Sequence, residues 1–160
     1  MAGVYQVRVG ISAALDDAEA QFVGWKDRIY SAFGQDFVEG RPHSFRSTSD
    51  DPIDCPEAGF AEVGGQDPVI LVFGLLATMN TTGATAIILP QWQPESGAAL
   101  VSMPEIYVTA AQPAFVVYGP MLTGSLGSTA RRVESIRLTL QSISAGRCDI
   151  QTAMAMDQPP

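Results

Sequence analysis

The chain holds a single histidine, and its neighbour is a serine: His43-Ser44, with Asp54 and Cys55 a dozen residues on. A nucleophile with a base to take its proton is the minimum for covalent catalysis, so this pair is the first place to look for chemistry. No G-x-S-x-G elbow stands beside it, and a lone histidine in a polar segment reads as a surface residue. The acids Asp50, Asp51, Asp54 and Glu57 could offer oxygen ligands to Ca²⁺, but they lack the D-x-D-x-D-G order of a calcium loop and read as a solvated run. One histidine and two distant cysteines, Cys55 and Cys148, do not make a zinc cage, and the cysteines read as free thiols. Glu95, Glu105 and Glu134 border expected strands, where a facing pair could do glycoside chemistry, although strand ends alone do not make a pair. Phosphate-cradling glycine loops are missing, and Gly124-Ser125-Leu126-Gly127-Ser128 reads as a flexible loop. The residues therefore point to no catalytic centre, no cofactor and no metal.

The elements that would position any such site are easier to read. Residues 4–11 alternate, with Tyr5, Val7, Val9 and Ile11 on one side and Gln6 and Arg8 on the other, the period of a half-buried strand. Ser12 can cap a helix whose apolar stripe runs Leu15, Ala18, Phe22, Trp25, Ile29, Phe33, and Gly34 supplies its stop. Such a stripe suits packing on a sheet better than a short coiled coil. Residues 35–68 show no sustained period and read as a long loop or arm that could act as a lid.

Residues 69–76 are apolar on both faces, which requires a strand covered twice, by a helix on one side and another layer on the other. The run breaks at Asn80-Thr81-Thr82-Gly83 and is too short for a membrane helix, so it reads as core. With Ile87, Ile88 and Leu89 beyond the break, the simplest expectation is a hairpin in mid-sheet. Residues 90–103 read as an extended connection. Residues 105–109 and 114–118 read as a second hairpin. Residues 134–143 give a late strand with Ile136, Leu138 and Leu140 inward. The expected fold is α+β: a mostly antiparallel sheet of about six strands packed against one long N-terminal helix, with extended arms. The domain spans residues 1–146, and residues 147–160 read as a C-terminal arm or tail.

Composition limits the partners. The chain of 160 residues has a formal net charge of −8, a single lysine, Lys26, and only 16% charged residues. Its scattered arginines, the doublet Arg131-Arg132 included, do not make the cationic track that nucleic acid needs, and the acid balance disfavours an anionic membrane. The opening MAGVYQVRVGIS lacks the basic start and apolar core of a signal peptide, so synthesis in the cytoplasm is expected. Sparse charge and long arms suit a non-enzymatic structural or assembly protein whose partners are copies of itself and other protein subunits. Capsid-decorating, tail and neck components of bacteriophage virions are built in this style, an analogy of architecture alone. The alternative is a small enzyme or ligand-binding protein with the 35–68 segment as lid and His43 in the site. For assembly, the expected contact residues are Phe37, Phe45, Trp92, Met154 and Met156, aromatic and methionine side chains in segments with no evident local core.

Overall fold

A computed structural model describes residues 7–11, 15–34, 37–55, 69–93, 99–118 and 135–157. The expected helix is α1 (Leu15–Phe33), ended by Gly34 in the left-handed region at φ 57°. Its proposed cap, Ser12, lies outside the described residues.

Two antiparallel sheets lie behind it. The first, of six strands, runs β1 (Val7–Ile11), β9 (Ala114–Tyr118), β5 (Val69–Met79), β11 (Cys148–Asp157) and β2 (Phe37–Glu39), with β3 (His43–Phe45) pairing β11 beside β2. The second, of five, runs β4 (Ile53–Cys55), β10 (Ser135–Ile143), β6 (Thr85–Gln93) and β7 (Val101–Ser102), with β8 (Ile106–Thr109) also on β6. One helix on mostly antiparallel β-structure is the fold class expected, but the strands divide between two sheets: of the expected six, β1, β5 and β9 lie in the first and β6, β8 and β10 in the second.

The layers stack as helix, first sheet, second sheet, so β5 is covered on both faces as its composition demands. Phe73, Leu75, Ala77 and Met79 join the core between the sheets, which also holds Ile88, Val108, Leu138 and Ile150. Leu76, Phe115 and Ala153 meet Ala18, Phe22 and Trp25 of the helix. The rings of Phe22 and Trp25 meet Phe115 edge-on at 5.8 and 6.0 Å. Gly74 makes this approach possible: a Cβ there would lie 2.5 Å from the Trp25 ring.

Both expected hairpins need correcting. β5 and β6 are consecutive but belong to different sheets, and so do β8 and β9. The turn formers at 80–84 carry the chain across the sandwich instead of back along one sheet. Asn80 Oδ1 accepts the backbone N–H of Arg147 (2.7 Å), and Asn80 N–H donates to Arg147 O (3.1 Å). Thr85 N–H donates to Ser144 Oγ, and Ser144 N–H to Thr85 O, both at 2.9 Å. The crossing is thus tied to the β10–β11 link, which crosses in the other direction. Gly146 sits there at φ 72°, and a Cβ on it would strike Thr81 Oγ1.

Three other expectations change. The segment read as a tail contains β11, the partner of β5, β2 and β3, with Ile150, Met154 and Met156 buried. Its small residues, Ala153 and Ala155, read as featureless in isolation, yet Ala153 lies where the helix docks. The 35–68 loop contributes β2, β3 and β4, each of three residues and too short to show a period; residues 56–68 lie outside the described residues. The connection at 90–103 begins inside β6, where Pro90 and Trp92 point into the core. Proline is tolerated because Pro90 lies where the flank of β6 passes from β8 to β7. On that flank Pro90 O accepts the Met103 N–H (2.9 Å) and no ladder bond needs the missing donor.

Candidate functional site

The strand around the histidine separates the pair that could have done chemistry. Along β3 side chains alternate, and Phe45, two residues from His43, is buried against the core. Ser44 therefore faces the other side, where its hydroxyl donates to Asp149 Oδ1 at 2.6 Å. The same carboxylate oxygen accepts Arg147 Nε at 2.7 Å. His43 is thus not placed to take the Ser44 proton.

The acids of the 50–57 run also have structural occupations. Asp50 Oδ2 accepts the backbone N–H groups of Arg46 (2.7 Å) and Ser47 (3.0 Å), which hold its carboxyl below the ordinary carboxylate range. Asp54 takes a forked pair from Arg137, Nε to Oδ1 at 2.7 Å and Nη2 to Oδ2 at 3.3 Å. Glu57, Glu95 and Glu134 lie outside the described residues. Among the described residues no three His, Cys, Asp or Glu side chains gather as metal ligands. Cys55 and Cys148 form no disulfide and are buried, and burial, helped by Asp149, pushes the Cys148 thiol up to about 12.

Four of the five expected contact residues belong to the interior. Phe45, Trp92, Met154 and Met156 all join the core between the sheets, because each lies on the inward phase of β3, β6 or β11. They cannot anchor a partner on the surface of this fold. Phe37 alone keeps some exposure: it packs on the helix layer with its ring edge-on to Tyr30 at 5.8 Å.

The surface that remains as a contact candidate is the outer face of the second sheet. On β6 the outward phase is Ile87, Leu89, Gln91 and Gln93, all half-buried, while Ala86, Ile88, Pro90 and Trp92 point in. Register places Tyr107 opposite Ile87, Thr139 opposite Leu89, and Arg137 between Gln91 and Asp54. The amides and hydroxyls bond along the face: Gln91 Nε2 donates to Ser102 Oγ (3.1 Å), and Ser135 Oγ to Gln93 Oε1 (3.4 Å). Tyr107 stands 68% exposed at one margin. Arg137 and Asp54 pair on this face, and Glu105 stands exposed beside Tyr107, just before β8. The alternation that builds it was present in the sequence. Which phase faces water depends on where the other sheet lies.

Comparison with known proteins finds no match to this chain, whether among protein families, curated proteins or solved structures. No helix among the described residues is long and apolar enough to cross a membrane.

Proposed function

We propose that this chain is a non-enzymatic structural subunit that assembles with copies of itself, and with other protein subunits, into a symmetric object. A decoration, tail or neck component of a bacteriophage virion is the kind of object that fits. One observation carries the reading: large apolar and aromatic side chains stand in water on both outer layers of a fold whose core is already filled. Val23 (50%) and Tyr30 (61%) occupy the helix layer, and Tyr107 the outer face of the second sheet. Only 16% of the residues are charged, so few groups oppose association at such places. The contacts expected of Phe45, Trp92, Met154 and Met156 pass in this reading to Tyr107 and its neighbours, and Phe37 acts together with Tyr30.

Light scattering coupled to size exclusion tests the proposal. A mass that is a fixed multiple of the 17.0 kDa chain is expected at micromolar concentration. A single-chain mass that persists to about 100 µM, well above the micromolar dissociation constants of weak specific contacts, overturns self-assembly.

A further inference from the structure

We draw no further inference here: the strongest candidate, the patch of Ile87, Leu89 and exposed Tyr107 on the outer face of the second sheet, carries none because nothing among the described residues shows what covers it.

Discussion

At the residue scale, the side chains with chemical potential are mostly engaged in holding the fold. Ser44 and Arg147 converge on Asp149, and Asp50 closes the turn after β3 through two backbone N–H groups. Thr152 Oγ1 is buried among apolar groups with no hydrogen-bond partner among the described residues, a cost the core carries where β11 runs between β5 and the short edge strands. Cys148 gives a prediction with a definite sign. Its thiol is raised from an ordinary 9.0 to about 12, so between these values the folded chain keeps a proton that the unfolded chain has lost. Stability from this group is fully present below pH 9 and falls as pH rises towards 12. Denaturant titrations of wild type and Cys148→Ala at pH 8 and 10.5 check it: the variant is expected to lose less stability over that interval. Equal losses would remove the buried thiol as the cause.

At the element scale, the helix is held by one close approach. Trp25 lies against the bare backbone of Gly74, with its ring also packed on Phe115. Gly74→Ala places a methyl where the indole sits, and the ring cannot shift without leaving Phe115. Overpacking of this kind costs about 1–3 kcal/mol, and urea melts are expected to show it as a lower midpoint with little change in slope. A midpoint equal to that of wild type would mean that the helix rides freely on the sheet. The helix itself was legible in the sequence because its stripe and its glycine stop are local. The residue it needed beneath it was not, since nothing near Gly74 in the chain marks it as the seat of a tryptophan fifty positions earlier.

At the scale of the whole molecule, the fold is closed by strands that are remote in sequence. Among the described strands, only β6 and β7 are both consecutive and paired; β1 waits for β9, and β5 for β9 and β11. Such topology makes folding wait on the end of the chain. A chain ending at Gly146 lacks the strand that pairs β5, β2 and β3, and it uncovers the faces of Phe73 and Leu75. It is expected to show no cooperative thermal transition and to bind a hydrophobic dye, where a dispensable tail would leave melting unchanged.

What the sequence by itself determined was local: the 19-residue helix, the strands that alternate or run apolar on both faces, and the need for β5 to be covered twice. Tertiary structure alone decided which strands pair. Asn80-Thr81-Thr82-Gly83 would serve equally for a turn within one sheet or a crossing between two, and the choice comes from Ser144 and Arg147, which bond Thr85 and Asn80 from 59 and 67 residues away. The same distance hid β11, whose alanines and methionines show no purpose until a helix covers one face and a second sheet the other. Burial belongs to the assembled layers, and no short window of the chain contains them.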